Sequence, residues 1–433
     1  MLTDAPPDES LFAPLRYKSF RVLWAGFVVS HIGDFIQLLA QSWLVVELTR
    51  SAFKVGVVAF AQAVPRLLIG LFAGVLVDRV DRRRLLVVTQ SLAALQSVVF
   101  LALVVTHRIT YGAVVALALA LGVFDALNLT ARQALMPTLV PRPLLPRAVA
   151  LQALGVNVTQ LVGPSLGGVL LGWLHTEGCL VVNALSFTIL IASLVTVELP
   201  APPPARAAQG FGDDLREGLG YVRAHAELLH PILLAYALGL LGMPLVRLLP
   251  LFAKEVLGAT GRGYGFLASA SGVGALAASL FVTARARPRE LPRNIVVAGL
   301  VFGCALVGFA WTRHYAVAWA VLALFGASQM AFRSAVTTLL QTESPERMRG
   351  RIMGALSLDF ALWSIGAVGV GLTADAIARH AAGVSATAVI PGWAITRGLH
   401  VSFVTHGALC LVAVLFAARP LLACATKLGA GGR

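Results

Sequence analysis

Charge is what this sequence has least of: Asp, Glu, Lys and Arg make up 12% of its 433 residues, hydrophobic residues make up 58%, and the mean hydropathy is +0.83. So little polar surface cannot cover the two or three soluble domains that the length would otherwise allow. A soluble globular protein is excluded, and an all-α polytopic membrane protein is expected. Lysine is scarcer still. Of Lys18, Lys54, Lys254 and Lys427, only Lys18 precedes a serine, and Tyr17 stands where a phosphate-binding loop needs glycine. ATP hydrolysis through a P-loop is thereby excluded. Cys179, Cys304, Cys410 and Cys424 show neither CxxC nor Cys/His spacing and read as small hydrophobes. No metal site and no cofactor are expected. The apolar stretches also carry no HExxH, His cluster or nucleophile–base pair, so no enzyme is expected.

Acids are few as well, 20 against 34 Lys and Arg, for a net charge of +14. In a soluble chain that excess would suggest nucleic acid. Here the bases fall in short loops between apolar runs, so the lipid bilayer is the expected partner and nucleic acid is not. The opening MLTDAPPDES lacks the basic n-region and small-residue cleavage site of a signal peptide, and the first span is expected to be an uncleaved anchor.

What is present is a series of apolar runs of about 20 residues, the length a helix needs to cross hydrocarbon. Twelve are predicted, at 20–46, 54–77, 84–106, 110–134, 148–173, 178–198, 229–253, 263–284, 294–312, 315–338, 351–373 and 399–418. Counting the first two residues of each span with the loop before it, 22 of the 34 basic residues fall in the terminal segments and even-numbered gaps, 8 in the odd-numbered gaps and 4, Arg66, Arg132, Arg247 and Arg333, inside spans. That asymmetry puts both termini in the cytoplasm of a cell inner membrane. Five parts follow: a cytoplasmic segment 1–19, a six-helix bundle 20–198, a linker 199–228, a second six-helix bundle 229–420 and a cytoplasmic tail 421–433. The linker opens APPPAR, stiff and non-helical. It then places Leu215, Leu219, Val222 and Leu229 at helical spacing, as in a helix lying on the membrane surface.

The two bundles read as parallel repeats. ARQALMPTLV, a basic loop and LGVNVTQLVGPSLGG in the first half match FRSAVTTLLQ, SPERMRGRIMGA and SIGAVGVG in the second, which makes Arg132 and Arg333 equivalent by offset. The stretch 74–86, GVLVDRVDRRRLL, carries six charges in seven residues, a cluster that belongs in a short loop between two spans. Its pattern, Gly74-x-Leu76-Val77-Asp78-Arg79-x-x-Arg82-Arg83, resembles motif A of the major facilitator superfamily, with Asp81 where that motif has glycine. Ser30-x-x-Gly33-Asp34, Trp43 to Thr49, Ala131-Arg132-Gln133-Ala134-Leu135, Gly163-Pro164-x-x-Gly167-Gly168 and Arg349-Gly350-Arg351 resemble its macrolide-efflux and enterobactin-exporter branch. The resemblance implies twelve helices in two repeats. It also implies a cytoplasmic gate in which Asp78 locks onto the start of helix 11, near Arg349 or Arg351, with Gly74, Arg79, Arg82, Arg83, Arg132 and Arg333 around it.

A transporter without a P-loop draws on an ion gradient, and ionisable groups inside spans are costly enough to be functional candidates. Asp34, Asp125 and Asp359 are the candidates for proton coupling. Ser30, Asp34, Gln37 and Gln41 form one polar face of helix 1 at spacings of 4, 3 and 4. Other candidate cavity residues are Arg66, Asn128, Asn157, Gln160, Tyr236, Arg247, Gln329 and Trp363. Structural roles compete: Asp125 with Arg132 and Arg333 with acids near the helix 10–11 loop as ion pairs, Asp359 with Arg66 or Arg247, Asp34 with Arg66, and Gly163 to Gly168 as a close-packing face. The expected function is export of an amphipathic small-molecule solute in exchange for protons, by a monomer. A siderophore exporter, a lysophospholipid or nutrient carrier, and a non-transporting receptor or assembly factor on the same fold are the alternatives.

Overall fold

The computed structural model describes residues 10–197, 217, 220–285, 290–385 and 388–430; the side chains of residues 70–79, 137, 157, 161, 280–285, 347, 360 and 424–430 also lie outside what is described. Among the described residues all regular structure is helical. The helices are α1 (Lys18–Thr49), α2 (Ala52–Arg79), α3 (Arg82–Val105), α4 (Tyr111–Leu135), α5 (Leu145–Thr196), α6 (Ala226–Leu241) and α7 (Pro244–Glu255). They continue with α8 (Gly261–Arg285), α9 (Leu291–Ala310), α10 (Tyr315–Glu343), α11 (Glu346–Ser357), α12 (Asp359–Ala382) and α13 (Gly392–Ala430). A helix bonds its backbone groups within its own segment, which is what crossing lipid demands.

Ten stretches among the described residues are long and apolar enough to cross a membrane. One of them, Arg142–Thr196, holds α5, whose 52 residues would reach about 78 Å if straight. It bends at His175, where φ is 56° and ψ is −166°, between the fifth and sixth expected spans. α8, with 25 residues, stands at the eighth. Large apolar side chains left exposed on α3 (Val88, Leu92, Leu95, Val99), on the second arm of α5 (Val181, Leu185, Ile189) and on α13 (Leu409, Val412, Phe416) repeat every three or four residues. Such stripes are a liability in water; here they are the faces turned to lipid.

Two expected spans are interrupted. The span expected at 229–253 breaks between α6 and α7, where Pro244 opens the new helix without a backbone N–H to return to the previous turn. Gly242 precedes it because the Phe302 ring lies where a Cβ would go. The span expected at 351–373 breaks at Leu358, whose N–H turns back to Ala355 and Leu356. Helix then continues to Ala382, and α13 runs to Ala430 through the expected tail. Most of the linker lies outside the described residues; the described part includes a stack of Tyr221 on His225, 4.0 Å between centroids.

Contacts divide the chain into two compact units, Met1–Gln41 with Ala61–Ala208, and Ser42–Phe60 with Gln209–Arg433. In the first unit Phe20, Leu23, Phe27, Leu86, Leu135, Met136, Leu151, Leu190 and Leu194 form an apolar core. The GPSLGG stretch of α5 lies against α1: a Cβ at Gly163 would run into Phe35, and one at Gly167 would lie 3.2 Å from the Ile36 Cα. Helix backbones approach this closely in lipid when small residues line the contact. In the second unit Gly274 and Gly326 do the same between α8 and α10, while Phe252, Phe309 and Phe403 cluster behind them with centroids 4.4 to 6.4 Å apart.

Candidate functional site

The polar face of α1 divides along its length. Gln37 is fully buried. Its amide nitrogen donates to Gln96 Oε1 at 3.3 Å, and its carbonyl accepts from Ser97 at 2.9 Å and Asn183 at 2.8 Å. Those bonds tie α1 to α3 and α5, and Ser30 and Gln41 are buried with them. Asn128 likewise accepts from the Thr89 hydroxyl, Gln160 is exposed, and the Asn157 side chain lies outside the described residues.

Asp34, by contrast, is half-buried and belongs to a cluster of ionisable groups. Its Oδ2 lies 3.5 Å from His31 Nδ1, three residues earlier on the same face, and its Oδ1 is buried with no hydrogen-bond partner. Arg66 does not pair with Asp34 but with Asp125, at 3.4 Å, and Gln62 also hydrogen-bonds to Asp125. Asp125 lies within electrostatic reach of Asp34 and His31, and Arg132 within reach of Asp34, Asp125 and Arg66. Arg132 also stacks over Phe27, 5.4 Å from its centroid. The first unit therefore holds two carboxylates, two guanidinium groups and an imidazole together, with zero formal charge when His31 is neutral. His31 and Gln62 escaped the sequence reading, although His31 sits at helical spacing from Asp34.

The second unit holds a cavity lined by Ala235, Leu238, Gly239 and Met243 from the α6–α7 region, Phe302 from α9, Gln329, Phe332, Arg333 and Val336 from α10, and Leu356, Asp359 and Trp363 from α11 and α12. The space it encloses is small, about 30 Å³, and it opens to solvent. Four residues singled out in the sequence, Gln329, Arg333, Asp359 and Trp363, thus share one wall. Arg333 hydrogen-bonds to Asp359, a pairing that the sequence reading did not propose, and Arg66 pairs instead with Asp125. Asp359 opens α12, where the positive end of the helix dipole suits a carboxylate. Tyr236 braces the break by donating to the Ala355 carbonyl at 2.5 Å. Arg247 is half-buried and acts electrostatically on Tyr264.

The basic turn between α2 and α3 has a structural job that the motif alone does not reveal. Asp81 caps α3, its carboxylate accepting from the Arg83 and Arg84 backbone N–H groups. Arg82 donates to the Ala134 carbonyl at 3.2 Å, and Arg83 to the Val195 carbonyl. Each arginine therefore satisfies a carbonyl at the C-terminal end of another helix, α4 and α5, where a cation also suits the dipole. The side chains of Gly74 to Arg79 lie outside the described residues, so the expected Asp78 contact does too. Arg351 pairs with Glu217 at 2.7 Å, and Arg349 is exposed.

Comparison with known proteins gives a consistent result. The family model for transmembrane secretion effectors matches residues 9–417. The multidrug efflux pump Tap of Mycolicibacterium fortuitum is 27% identical over 378 residues, 85% of this chain and 91% of that protein. The staphyloferrin A transporter of Staphylococcus aureus is 21% identical over 345 residues, 79% of this chain and 86% of the other. Among solved structures, a bacterial homolog of the human lysosomal transporter Spinster, inward-facing and unoccupied, superposes with a TM-score of 0.75 at 16% identity, covering 94% of this chain and 98% of that one. A family match over nearly the whole length, on a major facilitator fold, means that the chain belongs to the transmembrane secretion effector family of the major facilitator superfamily and is a multi-pass membrane transporter.

Proposed function

We propose that the protein exports an amphipathic, drug-like or macrolide-like small molecule from the cytoplasm by proton antiport with alternating access, as a monomer in the cell inner membrane with both termini cytoplasmic. The observation that carries the reading is the second unit's cavity. It is mostly apolar and aromatic, holds one ion pair, and sits where two spanning helices are both interrupted. Breaks of that kind expose backbone where it can meet a solute inside a membrane, and an apolar pocket with few convergent polar groups is the general form of a small-molecule site. The relationship to a multidrug efflux pump supports export. The relationship to a staphyloferrin A transporter favours a second reading, a siderophore exporter, on the same scaffold.

Coupling is read out in liposomes with a pH dye inside. An imposed acid-inside gradient should collapse several-fold faster when ethidium or erythromycin is added outside, because each solute taken in releases protons. Collapse that both solutes leave unchanged would remove the drug-efflux reading. Orientation has a separate check, resting on the 22 to 8 basic asymmetry. Single cysteines replacing Arg223 and His175, both exposed, in a background lacking the native four, should react with a membrane-impermeant thiol reagent from the cytoplasm and from outside respectively. Reversed labelling would overturn the orientation.

A further inference from the structure

The approach to α1 is covered on one side and bare on the other. A short 3₁₀ turn, Ala13–Arg16, leads into the helix. Ala13 and Pro14 are buried, and Leu15 packs on the apolar core of the first unit. Arg21 closes the turn onto α1: its guanidinium donates to the Leu15 carbonyl at 3.3 Å and its backbone N–H to the Tyr17 carbonyl at 2.9 Å. Held in this way, the segment shows its other side. Leu11 is 41% exposed, Phe12 55% and Tyr17 37%, and Lys18 and Arg21 are exposed beside them. Large apolar side chains and bases on one face suit a membrane interface, where rings and leucine enter the acyl boundary while cations stay among the headgroups.

The charge around this face is nearly all of one sign. No Asp or Glu occurs between Ser10 and Gly33. Leu85 at the start of α3, and Leu144 and Leu145 of the α4–α5 connection, pack on the same core as Leu15. The bases next to them therefore belong to the same rim of the unit, and Arg84 and Arg142 are both exposed there. Asp81, the acid nearest Arg84 in the chain, is engaged in capping α3. The rim thus combines exposed rings with an excess of cations, the complement of a surface carrying negative charge.

We propose that residues 11–21 dock on a leaflet of net negative charge, with Leu11, Phe12 and Tyr17 in the acyl boundary and Lys18 and Arg21 on the phosphodiester groups of anionic lipids. A zwitterionic leaflet accepts the rings but offers the bases no net attraction. An anionic leaflet strengthens binding about fivefold for each Lys or Arg near it, and salt weakens that gain. The dock goes beyond transport itself: it sets the depth at which α1, the helix of Asp34, enters the bilayer. On the proposed orientation the leaflet is the inner one. The competing account is a solvated basic segment, with Phe12 in water.

The full chain decides between them when it carries Phe12→Cys in a background lacking the native four cysteines, with a polarity-sensitive dye on that thiol. It is reconstituted in vesicles of phosphatidylglycerol or of phosphatidylcholine. Both leaflets then hold the same lipid, so the result depends neither on the orientation nor on the solute. Lipids spin-labelled near the top of the acyl chain should quench the dye several-fold more in phosphatidylglycerol than in phosphatidylcholine, and high salt should remove most of the difference. Lys18→Gln with Arg21→Gln should bring quenching in phosphatidylglycerol down to the phosphatidylcholine level. Arg108→Gln with Arg313→Gln, exposed bases of the loops expected outside, removes the same net charge and should leave quenching unchanged. Equal quenching in the two lipids would make the segment an apolar anchor indifferent to charge, and a dye in water in both would make it a solvated segment. Either result overturns the proposal, as does a loss of quenching that the Arg108 and Arg313 changes reproduce.

Discussion

Asp34→Asn should abolish gradient-driven efflux while leaving folded yield and downhill solute exchange close to those of the parent protein. On the proposed antiport one acid must take a proton on one side of the membrane and release it on the other, and Asp34 offers the atom for it. Its Oδ1 is buried with no hydrogen-bond partner among the described residues. The amide is nearly the same shape and cannot exchange the proton, so binding survives and coupling does not. Folding should be largely spared because Asp34 makes its ion-pair contact with His31, which can be neutral, and Arg132, which feels both acids, keeps Asp125. Asp125→Asn should behave differently. It takes the carboxylate that pairs with Arg66, so folded yield should fall slightly, the guanidinium being exposed, and Arg66→Gln should restore it. Efflux and yield are measured separately, by solute accumulation in inverted vesicles and by the monodisperse fraction after extraction. Gradient-driven efflux persisting in Asp34→Asn would sink the coupling role and transfer it to Asp125.

The particular residues show where sequence is informative and where it stops. Apolar run length announces spanning helices because every backbone group must be bonded inside lipid, so α1 at 18–49 lies close to the expected 20–46. Helical spacing sorted Ser30, Asp34, Gln37 and Gln41 onto one face. Spacing does not say which neighbour that face meets, and Gln37 turns out to be fully bonded to α3 and α5 while Asp34, one turn away, joins the ionisable cluster. Partners across helices depend on the depth and rotation of each helix, which periodicity does not encode, and this is why the Arg66–Asp125 and Arg333–Asp359 pairs could not be read from the sequence. The α6–α7 break had a signal in Gly242 and Pro244. The break at Leu358 has neither glycine nor proline within it, so nothing local announced that Asp359 would begin a new helix.

Arg333→Gln should strongly destabilise the second unit. Asp359 is 4% exposed and Arg333 30%, so removing the arginine takes a guanidinium partner from a buried carboxylate, at a cost of up to about 3–5 kcal/mol. That is a large part of the stability of most folded domains. Asp359→Asn should cost less, because the arginine it strands is partly reached by solvent. The pair itself contributes less than either single loss suggests, since desolvating both charges offsets much of their attraction. Arg333→Gln with Asp359→Asn should therefore recover most of the folded yield, measured by thermal melting of the detergent-solubilised protein. Transport then decides what the pair is for. As a contact for the polar end of the solute, against Gln329 and the Phe302, Phe332 and Trp363 rings of the same cavity, its loss should keep efflux at least tenfold down in the refolded double variant. Efflux that returns with yield would make the pair a structural brace, and the solute site would then have to be sought away from this wall. Equal destabilisation by the two single changes, with no recovery in the double, would mean that the charges do not face each other as described.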